Sequence, residues 1–180
     1  MPDSEKFLYH RVPDNMEGNI LHPLNSLREL HPEIYAEQIK KYEDRKNILE
    51  RKVPLLECLW NDVLHFTAVH PRDVAKAYAK AGLAYKDHES FQVPAELITG
   101  PKSVVFTYKS GTVTGADNKE FEIFDLEKLE MYQQVPERTI DYYKKSVAAG
   151  KSPLVYQFVP HVLHKGSIDT STLKTVRSID

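Results

Sequence analysis

The stretch Trp60–Gly82, WNDVLHFTAVHPRDVAKAYAKAG, decides the fold class. Val63–Ala68 is a short run of apolar and β-branched residues, which predicts a strand. Pro71–Ala81 is rich in alanine, opens with a proline suited to a first helical turn and is followed by Gly82 as a C-terminal cap, which predicts a helix. A strand therefore passes directly into a helix.

Two polar side chains interrupt the predicted strand. Because successive side chains of a strand point to opposite faces, His65 and Thr67 share one face while Leu64 and Phe66 share the other. The apolar face predicts a core. The polar face is typical either of a strand half exposed to solvent or of a strand that lines a cleft.

Working outward from this stretch, the hydrophobic periodicity predicts further helices and strands. The predicted helices are Pro32–Lys52 and Pro136–Ala149, and the predicted strands are Phe7–Val12, Phe91–Val93, Ser103–Tyr108, Phe121–Phe124, Leu154–Phe158 and His161–His164. This order is not a regular βαβ alternation, so it predicts an α+β fold. A chain of 180 residues fits one domain, 1–180.

Composition narrows the function classes. The net charge of −2 gives no general attraction to nucleic acid, and the single cysteine, Cys58, excludes a disulfide framework, so we expect a reducing, cytoplasmic setting. No apolar run is long enough for a membrane span. The chain also lacks the GxSxG elbow and the glycine-rich phosphate loops of kinases, GTPases and Rossmann dehydrogenases.

Histidine is a common metal ligand, so the histidines of this chain suggest a metal-dependent hydrolase as an alternative. The candidate ligands are His65, His70, His161 and His164. Their spacing lacks the helical i, i+4 geometry of an HExxH site, and residues 161 and 164 of one strand point to opposite faces. A metal site is therefore not the favoured interpretation.

Three segments together resemble a known family. LYHRVPDNMEGNIL (8–21), VPLLECLWNDVLHFTAVHP (53–71) and FVPHVLHKGSID (158–169) are similar in order and character to parts of bacterial toxin-type, DarT-like nucleic-acid ADP-ribosyltransferases. The resemblance implies a split, strongly curved antiparallel sheet with flanking helices. It also implies NAD as the substrate, an RNA or DNA acceptor and an antitoxin protein as a partner.

The resemblance also implies roles for individual residues. Cleavage of the nicotinamide–ribose bond develops positive charge on the ribose, so such a site fixes the ribose, holds the pyrophosphate and orients the acceptor. The implied catalytic residues are His161 and His10, and the implied NAD-binding residues are His10, Arg11, Arg51, His65 and Thr67. In this assignment His10 bonds the ribose, either arginine meets the pyrophosphate, and His65 and Thr67 form the nicotinamide wall.

The sequence departs from the family at the catalytic glutamate. Where the family carries it, this chain has His161, and Asp169 is the nearest carboxylate. His161 acting as a base predicts activity that rises through a pKa of about 6.5. A non-catalytic nucleotide- or partner-binding module on the same fold is the alternative. The basic residues of Pro32–Lys52 further predict a helix face that binds nucleic acid.

Overall fold

The computed structural model describes residues 6–109 and 118–180. Residues 1–5 and 110–117 of the predicted domain lie outside the described residues. The helices are α1 (Leu24–Leu30), α2 (Pro32–Ile39), α3 (Pro71–Lys80) and α4 (Glu137–Ala148). The strands are β1 (Phe7–Arg11), β2 (Ile20–Leu21), β3 (Lys52–Val53), β4 (Cys58–Leu59), β5 (Leu64–Phe66), β6 (Glu89–Pro94), β7 (Ser103–Phe106), β8 (Phe121–Ile123), β9 (His161–His164), β10 (Ile168–Asp169) and β11 (Lys174–Arg177).

Two antiparallel sheets form the centre of the fold. One has the strand order β1-β6-β11, and the other has the order β5-β9-β7-β8. The short strands β10 and β2 pair with each other, as do β3 and β4. Helices combined with antiparallel sheets confirm the predicted α+β class.

The two central sheets meet where β1 runs beside β5. An isolated β-bridge joins them, in which the Tyr9 amide donates to the Thr67 carbonyl at 2.8 Å and the Thr67 amide donates to the Tyr9 carbonyl at 3.0 Å. The bridge is antiparallel, and because β1 and β5 belong to separate sheets, the two strands can diverge on either side of it. Their junction is the place where a cleft can open.

Apolar packing covers both faces of the β5-β9-β7-β8 sheet. Phe66 and Val162 belong to a cluster that also includes Leu8 of β1, so this cluster ties the two sheets together. Leu163, next to Val162 on β9, instead packs with a cluster built around Trp60. The alternation along β9 therefore places one side chain in each cluster.

The predicted long helix Pro32–Lys52 is wrong. Helix α2 ends at Ile39, and the chain continues through 3₁₀ turns at Lys40–Tyr42 and Lys46–Glu50. Ile48, which lies within the predicted helix, is buried in the Trp60 cluster instead. The chain must bend to place it there, so the basic residues do not share one helix face.

The predicted strand Leu154–Phe158 is also wrong, because α4 supplies hydrogen bonds to its backbone. The Tyr142 hydroxyl accepts from the Leu154 amide at 3.0 Å, and the Thr139 hydroxyl donates to the Gln157 carbonyl at 2.8 Å. Phe158 adopts a left-handed backbone with φ of 65°. The segment is a series of turns.

Other predictions are confirmed with small changes in their limits. Strand β9 has the predicted bounds, and α3 ends before Gly82, whose φ of 87° gives the expected left-handed cap. Helix α1 was not predicted. In residues 6–109 and 118–180, no helix is both long enough and apolar enough to cross a bilayer.

Candidate functional site

A cleft of about 820 Å³ opens beside the β1–β5 junction. This volume lies within the range of roughly 300–1,000 Å³ typical of small-molecule and cofactor sites. The lining comes from both strands, from helices α1 and α2, and from the loop between β1 and β2. The lining includes five of the six predicted site residues: His10, Arg11, His65, Thr67 and His161.

His10 extends from β1 and bonds across the junction to β5. Its Nδ1 donates to the His65 carbonyl at 2.7 Å, and its ring packs against Phe66 with 5.5 Å between centroids. Burial lowers the pKa of His10, and the charge of Lys41 lowers it further, against the opposing effect of the bond to His65. His10 is therefore neutral at pH 7 and keeps its lone pair on Nε2.

His65 is fixed in one tautomer. Its Nε2 donates to the Trp60 carbonyl at 2.8 Å, and the two rings stack at a tilt with 4.7 Å between centroids. Burial and the nearby His161 lower the pKa of His65 to about 3. At neutral pH its Nδ1 is therefore a hydrogen-bond acceptor.

His161 comes from β9 and stands edge-on to His65, with 6.3 Å between ring centroids. Its Nε2 lies 3.3 Å from the Tyr108 hydroxyl. Burial, with a smaller effect from Arg51, lowers the pKa of His161 to about 4. The predicted pKa of about 6.5 is therefore wrong, because burial opposes the charged imidazole.

Thr67 contributes mainly to the architecture of the site. Its backbone forms the bridge to Tyr9, and its hydroxyl accepts a hydrogen bond from the Val69 amide at 3.1 Å. The residue is buried, although it lines the cleft. Thr67 thus holds the two strands together beside the predicted binding residues.

Arg51 is the predicted site residue that does not line the cleft. Its guanidinium lies over the rings of Trp60 and Phe106, at 4.4 and 4.6 Å from their centroids. Its side-chain nitrogens are buried and bond to no acceptor among the described residues. Burial lowers its pKa. Its geometry suits support of Trp60 rather than contact with a pyrophosphate.

Positive charge reaches the cleft from Arg11 and Lys41 instead. Arg11 contacts Asp14 only weakly, at 3.4 Å, with both side chains exposed. Lys41 keeps solvent contact, but partial desolvation and the charges of Arg45 and Arg11 lower its pKa. Its charge acts on both His10 and His65, so it belongs to the same part of the cleft.

The sequence did not predict Tyr42 and Asn61 as site residues, and it placed Lys41 on a helix face that binds nucleic acid. The Tyr42 hydroxyl donates to the Asn61 Oδ1 at 3.2 Å, and all three residues line the cleft. Asn61 carries one usable signal, because together with Asp62 it interrupts an otherwise apolar stretch of sequence next to Trp60. Lys41 carries none, since it sits in a run of charged residues.

The four candidate metal ligands do not form one metal site, although His65 and His161 share the cleft. Within residues 6–109 and 118–180, no three His, Cys, Asp or Glu side chains are arranged to hold a metal ion. His70 accepts a hydrogen bond from the Arg72 amide at the start of α3, and His164 bonds to the Ser103 hydroxyl. Asp169, the nearest carboxylate in sequence, is exposed and bonds to the Ser171 amide.

Comparisons with known proteins add no relative. No family model matches the chain, and neither the curated proteins nor the solved structures give a match. The geometry of the cleft is therefore the basis for assigning a function.

Proposed function

We propose that this chain binds NAD in the cleft and transfers ADP-ribose to a macromolecular acceptor, with nucleic acid as the favoured acceptor class. The observation that carries the proposal is the convergence of His10, His65 and His161 on one cleft between two antiparallel sheets. Two sheets joined by an isolated bridge support a split sheet of the kind that the family resemblance implies. The volume of the cleft suits a dinucleotide.

The neutral histidines suit the chemistry of glycosidic cleavage. Positive charge develops on the ribose as the bond to nicotinamide breaks, and a charged imidazole nearby would oppose it. Burial keeps His65 and His161 neutral through the physiological range. His10, with its lone pair on Nε2, is suited to accept a hydrogen bond from a ribose hydroxyl.

His161 has the basicity expected of a carboxylate. Its pKa of about 4 is close to the value of about 4.3 for an ordinary glutamate. A backbone hydrogen bond to Pro160 and the contact of Nε2 with the Tyr108 hydroxyl orient the ring, whose remaining lone pair is suited to take a proton from the acceptor. His161 supplies the base of the missing glutamate without its negative charge.

Arg11 and Lys41 are the residues suited to hold the pyrophosphate. Both line the cleft, whereas Arg51 does not. A guanidinium gives forked hydrogen bonds to phosphate oxygens, and an ammonium adds a compact charge. We therefore assign the pyrophosphate to the His10 end of the cleft.

The second candidate is a nucleotide-binding module without catalysis. Among the described residues that line the cleft, the carboxylates are Asp14, Glu17 and Glu37, which come from the β1–β2 loop and α2 rather than from the sheets. No carboxylate of the lining comes from β9, where the family resemblance implies one. This candidate predicts NAD binding without transfer.

Incubation with NAD labelled on the adenylate, in separate pools of RNA, DNA and protein, tests the proposal. We expect label on nucleic acid, and its loss in His161→Gln. His164→Gln is the matched control, because it makes the same substitution on the same strand at a residue that does not line the cleft. Label in none of the pools, with NAD still bound, supports the binding module and overturns the transferase.

A further inference from the structure

Asn61 has a buried side-chain amide whose NH2 group makes no hydrogen bond to the described residues. The residue is 1% exposed, and its Oδ1 accepts from the Tyr42 hydroxyl at 3.2 Å, while its Nδ2 has no hydrogen-bond partner among the described residues. Several buried side chains of residues 6–109 and 118–180 hold such unpaired donors, but of these only Asn61 lines the cleft. An unpaired buried donor is costly, which makes a ligand acceptor its natural partner.

The backbone that presents Asn61 is firmly held. It lies in the 3₁₀ turn Trp60–Asp62, where the Asp62 carboxylate accepts from the Leu59 amide at 2.7 Å and from the Asn25 side chain at 2.8 Å. The first of these bonds closes the turn, and the second ties it to α1. Asn61 therefore has little freedom to turn away from the cleft.

A complementary acceptor follows four residues later. His65 donates through Nε2 to the Trp60 carbonyl, so its Nδ1 presents a lone pair. The same short segment thus offers a donor on Asn61 and an acceptor on His65, and both residues line the cleft. A primary carboxamide has the matching pair, a carbonyl that accepts and an NH2 that donates.

We infer that Asn61 and His65 recognise the primary carboxamide of the ligand, which under the proposed function is that of the nicotinamide ring. Asn61 Nδ2 donates to the carbonyl oxygen, and His65 Nδ1 accepts from the carboxamide nitrogen. The Asn61 nitrogen is closed to bulk solvent, so the ligand reaches it by small side-chain rotations of the kind that commonly accompany binding. This inference rests on the proposed function for the identity of the ligand, but not for the chemistry of recognition.

The test is the affinity of the wild-type protein for NAD, nicotinic acid adenine dinucleotide and ADP-ribose, measured by calorimetry. The acid analogue replaces the NH2 by a carboxylate oxygen, which repels the His65 lone pair. We expect NAD to bind on the order of tenfold to a hundredfold more tightly than the acid analogue. Equal affinities for the two dinucleotides overturn the inference and leave the proposed function standing.

Variants test the role of Asn61. Asn61→Asp removes the donor at constant shape, and we expect it to weaken NAD binding roughly tenfold while ADP-ribose affinity stays unchanged. Because a buried carboxylate can unfold the chain, Tyr42→Phe is the second variant, which frees the Asn61 amide to rotate and should also weaken NAD binding relative to ADP-ribose. Wild-type NAD affinity in a folded Asn61→Asp protein contradicts the inference.

Nicotinamide alone separates the two proposals. If the Asn61 side-chain amide resonances shift when nicotinamide is added, but no label from NAD reaches an acceptor, carboxamide recognition stands and the transferase fails. If neither nicotinamide nor NAD binds, the inference is overturned together with the function on which it rests.

Discussion

Acidification is expected to destabilise this protein through two histidines that are buried in the neutral state. The native pKa values are about 3 for His65 and about 4 for His161, both below the value of about 6.5 expected in the unfolded chain. Below pH 6.5 the unfolded state therefore binds protons that the native state does not. The stability that comes from keeping the two histidines neutral is fully present above pH 6.5. It is lost as the pH falls toward the native pKa values of about 4 for His161 and about 3 for His65.

The size of the effect follows from the shifts. Each pH unit below the unfolded pKa lowers the free energy of unfolding by about 1.4 kcal/mol per histidine. At pH 5 each histidine therefore lowers it by about 2 kcal/mol. Each keeps some solvent contact, and part of the His65 shift comes from His161, so the two losses are not fully additive. A combined loss of about 2 kcal/mol between pH 7 and pH 5 is the resulting expectation.

Urea unfolding at pH 7, 6 and 5, followed by the fluorescence of the single tryptophan, Trp60, measures this loss. Other histidines also titrate, so the comparison is with His161→Gln, which should lose about half as much stability over the same interval. The same pH dependence in wild type and variant, or a wild type that is more stable at pH 5 than at pH 7, would show that the two histidines are not buried in the neutral state.

Three further predictions concern the cleft. His161→Gln should lower the transfer rate by roughly a hundredfold or more while NAD affinity is retained. The pH–rate profile of the wild type should show no inflection near pH 6.5, and an inflection there would contradict the burial of His161. Replacing Arg11 and Lys41 together by glutamine should weaken ADP-ribose binding by roughly tenfold or more in calorimetry, because the cleft loses both cations; unchanged affinity would remove them from the pyrophosphate site. Arg51→Lys should leave that affinity unchanged but lower the free energy of unfolding by about 1 kcal/mol, since stacking on Trp60 weakens; a large loss of affinity would return Arg51 to the binding site.

The sequence predicted the helices and strands that are determined by neighbouring residues. The alternation in β9 and the proline-to-glycine limits of α3 depend on neighbouring residues, so the sequence contains their causes. Helix α1 had a comparable signal, because Leu24 and Leu27 are three residues apart and follow Pro23, and both are buried. That signal could have been read.

The failures came from contacts between distant residues. Ile48 fits a helical stripe, but its partners lie beyond Pro54, and reaching them ends the helix early. Leu154–Phe158 alternates like a strand, but its backbone bonds to side chains of α4 that no local pattern reveals. At both segments, tertiary contacts override the secondary-structure propensity of the local sequence.

The candidate site was predictable where polar residues interrupt apolar strands. His10, His65 and His161 stand out for that reason, and all three line the cleft. Lys41 and Arg51 show the limit of this reasoning, because both lie among charged residues and only the path of the chain decides which one reaches the cleft. The pKa of His161 likewise depends on the depth of its burial, which the sequence does not give.

NAD binding between the two sheets is tested by an NMR titration of the histidine ring resonances with NAD. We predict shifts of His10, His65 and His161, and no shift of His164, which bonds to Ser103 and does not line the cleft. Saturable shifts confined to the first three would locate NAD between the two sheets. Unchanged rings of His10, His65 and His161 at saturating NAD, or shifts confined to His164, would contradict binding in the cleft.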